Sequence, residues 1–543
     1  MLKSKNIDPF IFIPTAVLFV IAAFVFILGG SGLQAGINQL LAFLSDRTGW
    51  LYLGIYIINF IFFIYLAFSH FGKIKLGDTK DKPAFSNFQW GSMVFATAID
   101  ASILMLSMTD PLRFLMHPAF NMKPFSAQAY ATASVFGQFD WGPMAWLMFA
   151  SATIAIAYAM YVKKRPIQRL SSAITVLDGK RWWQRGLRSA VDLLVVIGIM
   201  GGIGSSVGME IPVLAKVISA TTGIPDNFWL TLGLFAILFV LFALTVFAGL
   251  KGGIDKLSSA HIWTALGFLA FVLLVGPTLH LVSGEMHNLV SLGQHFTALS
   301  TNILGQHAAF PRSETIFYWG WWLSYMPFTG LFIARISKGR TVRQVVLGMI
   351  GYGALGCMSF YAILGGYTLY LQHAGIVNVA AILQSQGQAA AIARIIQTLP
   401  FKALVLVFYS VSCFIFLATT ISSSAFIVSS FTSKKLVDGQ EPSHTNRMFW
   451  VCVFMLFSFG IVMVGGFKTV QTICALAGFP LIFVCALLLI SIVQMVVTDK
   501  RMAEARQHSW HYEVERQAER SFDSVRLAPR RKTLKPGPMT KGI

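Results

Sequence analysis

Residues 315–330 read Thr-Ile-Phe-Tyr-Trp-Gly-Trp-Trp-Leu-Ser-Tyr-Met-Pro-Phe-Thr-Gly, bringing Phe317, Tyr318, Trp319, Trp321, Trp322, Tyr325 and Phe328 into one stretch. At helical spacing Tyr318, Trp322 and Tyr325 share one face, and Trp321, Tyr325 and Phe328 define a neighbouring one. Ring faces are negative. A trimethylammonium group has no N–H to donate, so its diffuse charge suits rings better than hydrogen-bond acceptors, at roughly 0.5–2 kcal/mol per contact. An interfacial aromatic belt or a packing face would use the same residue types. Gly320, Pro327 and Gly330 predict a loosened helix, and transporters place substrates at broken helices in mid-membrane.

Acidic residues inside apolar runs form a second set. Asp100 lies in Ala96-Thr-Ala-Ile-Asp-Ala-Ser102, with Asp110-Pro111 closing that segment, and Glu210 lies deep in another run. A carboxylate at mid-membrane costs several kcal/mol if ionised, so each is a functional candidate. Asp100 suits neutralising an organic cation or carrying a proton; a hydrogen-bonded Asp at a helix break is the alternative. Glu210 suits ion coupling or a wet vestibule. The glycine run Gly201-Gly-Ile-Gly204-Ser-Ser-Val-Gly208 sits inside an apolar span with no strand before it, so it reads as close helix packing and not as a dinucleotide loop.

The elements that must position these residues are set by composition. The 543 residues are 56% hydrophobic and only 12% charged, with mean hydropathy +0.68. Apolar runs of roughly twenty residues match the hydrocarbon thickness of a bilayer, and no short alternating segments suggest a barrel. The net charge of +20 reads as basic cytoplasmic loops and not as a nucleic-acid surface. Cys357, Cys413, Cys452, Cys474 and Cys485 lie in apolar runs without ligand spacing. No metal-ligand spacing, nucleotide-binding loop or clustered catalytic set occurs, which excludes ATP-driven transport and argues against an enzyme. No cofactor is expected beyond a coupling Na+ or H+.

Hydropathy gives twelve spans, near Phe10–Gly30, Trp50–His70, Trp90–Met108, Trp141–Val162, Ala190–Ile218, Phe228–Leu250, Ala260–Val282, Thr315–Ile336, Val345–Leu371, Phe401–Ser430, Phe449–Phe467 and Gln471–Val497. Basic residues gather after spans four and eight, which predicts both termini on the cytoplasmic side of a bacterial inner membrane. The stretch His287–Leu304 is too polar to span and reads as an external amphipathic helix. From Thr498 onward the tail is basic, helix-like over Arg501–Arg520, then Pro/Arg/Lys-rich; it is expected to be a solvated tail or an arm touching anionic membrane lipids.

Phe317–Phe328 followed by Ala334–Thr341 closely resembles the signature of the betaine/carnitine/choline transporter family. The resemblance covers roughly residues 5–497, including Gly478–Val484. It implies an all-α polytopic membrane protein whose LeuT-like core has two inverted five-helix repeats preceded by two extra helices, commonly assembled as a homotrimer. The implied organisation is 1–89 for the terminus and two peripheral helices, 90–283 for the first repeat and 284–314 for the external helix. The second repeat takes 315–497 and the tail 498–543. An aromatic box between spans four and eight is implied by Trp141, Trp146, Phe149 and Trp322, with Trp321, Tyr325 and Phe328 lining the cytoplasmic side of the path. Phe149 stands where betaine carriers have Tyr. Tyr325 and the Trp-Gly-Pro-x-x-Trp spacing at Trp141–Trp146 are similar to carnitine exchangers, and Asp100 resembles the Asp of proton-linked choline carriers. Thr419 and Thr420 match the hydroxyl pair of sodium-driven members, a possible sodium site. Sodium-independent members often have an Arg where this chain has Asp255, with Lys256 beside it, which leans against sodium.

These readings imply secondary transport of a small quaternary ammonium compound: choline, glycine betaine or carnitine. The spare acids Asp100 and Asp140 favour a pure cation, the carnitine-like features a zwitterion. Symport, exchange of carnitine-like betaines, and an amino-acid carrier of the same superfold are the alternatives.

Overall fold

A hydrocarbon core offers no water to backbone N–H and C=O groups, so long apolar runs fold as helices that satisfy them internally. The computed structural model describes the chain outside residues 1–6, 100, 167–168, 250–254, 302–308, 435–440 and 527–543. Within helices, side chains at 31, 247–249, 255–259, 261, 309, 311, 419 and 499–526 also lie outside the description. Among the described residues the architecture is all-helical, with two isolated backbone bridges, Ile7 to Ser433 and Lys75 to Thr341.

Helix α1 (Pro9–Phe68) kinks at Gly30, whose φ of 53° is open to glycine at little cost. It is followed by α2 (Asn87–Ala98), α3 (Ser102–Met116), α4 (Ala127–Asp140), α5 (Pro143–Ala157), α6 (Trp182–Thr222), α7 (Phe228–Gly249), α8 (Asp255–Val275), α9 (Thr278–Thr301) and α10 (Ala309–Ile336). Next come α11 (Val342–Gly348), α12 (Leu355–Phe360) and α13 (Gly366–His373), joined by π-helical turns at Met349–Ala354 and Tyr361–Gly365. Helices α14 (Val379–Gln386), α15 (Gln388–Gln397), α16 (Lys402–Phe431), α17 (His444–Val464) and α18 (Phe467–Arg526) complete the order. Met1–Ile492 forms one compact unit; a second, Val493–Ile543, is helical as far as Arg526.

Nine helices among the described residues are long and apolar enough to cross a membrane, or up to eleven if each of two bent pairs is one span. The twelve-span reading adds α10, whose many Trp and Tyr side chains score as weakly polar. The helix that holds span two is longer than the span itself, running from Gly32 to Phe68. Span seven ends at Val275, short of Val282, because Gly276-Pro277 turns the chain by 112° into α9. The amphipathic helix accordingly starts at Thr278, earlier than His287.

Loop contacts sort the ends of the spans. Lys164 pairs with Asp78 at 2.9 Å and Lys75 bridges to Thr341. Arg169 pairs with Asp8 at 2.7 Å, and the Asp8 amide donates to the Thr432 carbonyl at 2.9 Å. The segments after spans two, four, eight and ten therefore meet at the end where α1 begins. Arg312 pairs with Asp46 at 2.5 Å, joining the segments before spans two and eight.

Two breaks matter for the site. Between α2 and α3 the chain bends by 69° through Ile99, which is extended at φ −109°, ψ 124°; Asp100 itself lies outside the described residues. Between α4 and α5, Pro143 lacks an amide hydrogen, so the first helix stops at Asp140 and Pro143 opens the second. Helix α10, by contrast, is continuous. Its glycines serve close packing and not loosening: a Cβ on Gly320 would sit 2.6 Å from the Ala475 Cα, and one on Gly330 would sit 3.0 Å from the Thr153 amide nitrogen. Helix α5 is buried from Met144 to Ala157 and α10 from Glu314 to Leu331. This pair is the centre of the molecule.

Candidate functional site

Trp322 sits at the middle of a ring cluster contributed by α10, α5 and the break before α5. Its centroid lies 5.0 Å from Trp141 in an edge-on arrangement, 5.4 Å from Phe149 and 6.3 Å from Trp146. Trp146 and Phe149 meet edge-to-face at 5.5 Å. All four rings are buried. Edge-to-face geometry turns the positive rim of one ring to the negative face of the next, so the cluster is stable without hydrogen bonds between its members. Orientation comes from outside. The Trp322 indole N–H donates to the Asp140 carbonyl at 2.9 Å, the Trp146 N–H donates to Cys357 Sγ at 3.4 Å, and Phe95 stacks on Trp146 at 6.5 Å and 8°.

The remaining α10 rings extend the cluster along the helix. Trp321 meets Trp141 at 5.8 Å and Tyr325 at 6.0 Å; Phe328 meets Tyr325 at 6.5 Å. The Tyr325 hydroxyl lies 2.9 Å from Ser206 Oγ on α6. Ala98, Trp141, Trp321, Trp322 and Tyr325 enclose a hollow with about 10 Å³ open to a water's centre, room for one water. Trp146, Phe149 and Phe328 stand around that lining without forming it. A trimethylammonium group is far bulkier than one water, so the rings must separate to admit it.

Beside the box, towards the start of α10, lies a buried ionic layer that the sequence did not disclose. Arg113 pairs with Glu314 at 2.6 Å and with Asp110 at 3.3 Å. Its guanidinium lies over the Phe467 ring at 4.6 Å. Asp110 accepts from the Tyr361 hydroxyl at 2.9 Å and from the Tyr318 hydroxyl; Glu314 accepts from Gln471 at 2.9 Å. The Tyr318 ring also meets Trp141 at 5.9 Å, so it touches both the box and the ionic layer. Asp140 is fully buried, and neither carboxylate oxygen has a hydrogen-bond partner at bonding geometry; the Thr315 hydroxyl is its polar neighbour. Glu314 follows Phe310-Pro-Arg-Ser in the sequence, and an acid so close to the ring-rich run was the available signal.

The coupling candidates are scattered. Glu210 is buried on α6, within electrostatic reach of Tyr409 and Cys413 on α16. Thr420 is buried, and its hydroxyl donates to the Phe416 carbonyl of its own helix at 3.2 Å. Thr419 lies on α16 and Asp255 and Lys256 open α8, but these three side chains, like Asp100, fall outside the described residues. Among the described residues no group of three or more His, Cys, Asp or Glu is placed to hold a metal ion.

A family model described as BCCT, betaine/carnitine/choline family transporter, matches residues 10–501. The uncharacterized transporter YeaV of Escherichia coli (strain K12) is 30% identical over 426 residues, covering 78% of this chain and 87% of that protein. A solved structure of a Na+-coupled sialic acid symporter, substrate-bound and outward-open, is similar at TM-score 0.45 and 13% identity, covering 84% of this chain and 86% of that one. With nearly all of its helical length matched by the family model, the chain belongs to the betaine/carnitine/choline transporter family and is a transporter, not an enzyme.

Proposed function

We propose that this protein carries a small quaternary ammonium compound (choline, glycine betaine or carnitine) across a bacterial inner membrane by alternating access. The trimethylammonium head is held among Trp141, Trp146, Phe149 and Trp322, with Trp321, Tyr325 and Phe328 along the path towards the cytoplasm. The observation that carries this reading is the arrangement of three rings around Trp322 at 5.0–6.3 Å, from separate turns. Ring faces and edges brought together this way suit a diffuse cation that neither donates nor accepts a hydrogen bond. In this reading α5 and α10 part to load the site and close again around the cargo. Twelve spans, two inverted repeats, a homotrimer and cytoplasmic termini belong to the same proposal, supported by family membership and by the basic loops after spans four and eight. Thr419 and Thr420 are the proposed sodium ligands if the carrier is sodium-driven; hydroxyl oxygens suit a hard cation.

The test is binding and uptake of radiolabelled choline, glycine betaine and carnitine by purified protein in proteoliposomes, with sodium and proton gradients imposed separately. At least one compound should accumulate. Trp322→Ala should weaken its binding by about 1–2 kcal/mol, the size of a desolvated cation–π contact, or roughly five- to thirtyfold in Kd. A folded Trp322→Ala protein that binds as the wild type does would remove the box assignment.

A further inference from the structure

We propose that Asp140 is the position where a proton and the organic cation replace one another, so that the cargo is a compound of net positive charge and is exchanged for a proton. This rests on the quaternary ammonium reading above and narrows it.

The argument begins with position. Asp140 ends α4 immediately before Trp141, and its backbone carbonyl receives the Trp322 indole N–H at 2.9 Å. Its main chain is thus fixed to the central ring of the box. Its side chain is fully buried, and neither oxygen has a partner at bonding geometry, the Thr315 hydroxyl being the polar neighbour. A buried carboxylate with no hydrogen bond is among the most expensive groups a protein can house. It needs a proton, or it needs a cation.

Among the described residues nothing fixed in the surroundings supplies the charge. From α3, Asp110 and Arg113 face this region; from α10, Glu314, Thr315 and Tyr318; from the π-turn after α12, Tyr361; from α18, Gln471. On α4 itself Gln138 holds Glu285 of α9 at 2.6 Å. Arg113 is the one cation in this set, and it is committed to Glu314 at 2.6 Å and Asp110 at 3.3 Å. Asp110 and Glu314 each receive further hydrogen bonds, whereas Asp140 receives none at bonding geometry. Asp140 also stands within electrostatic reach of Asp110 and Glu314, the two carboxyls that hold Arg113. Like charges this close disfavour full ionisation. When Asp140 is ionised its compensating charge comes from a ligand, and the box whose central ring is tied to the Asp140 backbone is built for a diffuse one.

The exchange balances simply. With the box closed, Asp140 is a carboxylic acid. When a quaternary cation enters, the acid releases its proton to water on the side of entry and the carboxylate remains beside the ammonium; no bond to the cargo forms. When the cargo leaves on the other side, the carboxylate takes a proton from water there. Each full cycle moves one organic cation one way and one proton the other, with no net charge transferred. A betaine gains less, because its own carboxylate brings back the negative charge that the site already has in excess.

Equilibrium binding of labelled choline and glycine betaine to the purified protein between pH 6 and 8 tests this. Displacement of one proton predicts that choline Kd rises about tenfold per unit of falling pH while Asp140 is protonated, with betaine binding much flatter. In weakly buffered solution, choline should release close to one proton per site, a readout that needs no variant. Asp140→Asn should flatten the choline slope and stop the proton release. A choline Kd independent of pH, or a slope that survives in folded Asp140→Asn, would overturn the proposal while leaving the box intact. If neither ligand binds at any pH, the quaternary ammonium reading fails first and this inference goes with it.

Discussion

Helix α10 carries two unlike neighbourhoods within a few turns. Around Trp322, contact is made by ring edges and faces, and the four rings hold one another by shape. Around Glu314 and Tyr318, contact is made by charge and hydrogen bonds, with Arg113, Asp110, Gln471 and Tyr361 all tied together. The apolar neighbourhood can open by sliding rings past each other, because dispersion contacts are many and individually weak. The ionic one is close to all-or-none, because removing one partner leaves a charge buried. A carrier needs both: a centre that yields to its cargo and a layer that keeps its helices in register.

Breaking the ionic layer gives the largest expected effect. Arg113→Ala leaves Asp110 and Glu314 buried without their cation, and losses of about 3–5 kcal/mol follow when one partner of a buried pair is removed. Thermal unfolding in detergent should show a steep drop, partly recovered by adding Glu314→Gln. Wild-type melting of Arg113→Ala would mean that the tyrosines and Gln471 suffice without it. A smaller loss tests the packing that holds the box helix in place. Gly320 lies against the Ala475 Cα at 2.6 Å from a would-be Cβ, and Gly478 comes up against Gly320 from the facing helix. Gly320→Val should therefore force α10 and α18 apart, costing about 1–3 kcal/mol by overpacking. An unchanged melting midpoint would show that the two helices can shift freely.

Legibility in the sequence followed the same divide. The ring cluster could be read because aromatic residues declare their chemistry wherever they sit, and the family resemblance paired Trp141, Trp146 and Phe149 with Trp322. The break in span three was present in the sequence only as the alternative reading of Asp100, a hydrogen-bonded Asp at a helix break. Span eight was legible as well, although its indoles and phenols make α10 less apolar than its neighbours while it is among the most buried helices. Gly320 and Gly330 looked like weak points because a sequence shows a missing side chain and not the neighbouring backbone that requires it. Arg113 gave no signal in the sequence for a related reason. Its partner Glu314 is 201 positions away, and periodicity along one helix says nothing about what another helix brings opposite.

The smallest predicted effect bears on how firmly the two neighbourhoods are joined. Tyr361 donates to the same Asp110 oxygen as Tyr318, and its ring lies 6.3 Å from Trp141. Tyr361→Phe keeps that ring in place and removes one donor, while Tyr318 and Arg113 still satisfy Asp110. The expected loss is about 0.5–1.5 kcal/mol, the net value of one hydrogen bond, and it should appear in the melting midpoint with little change in choline affinity. A large fall in affinity with a small fall in stability would mean that the Asp110 layer sets the position of Trp141, and that box and ionic layer act as one device. A change confined to stability would keep them separate: the layer as scaffold, the rings as the part that meets the cargo.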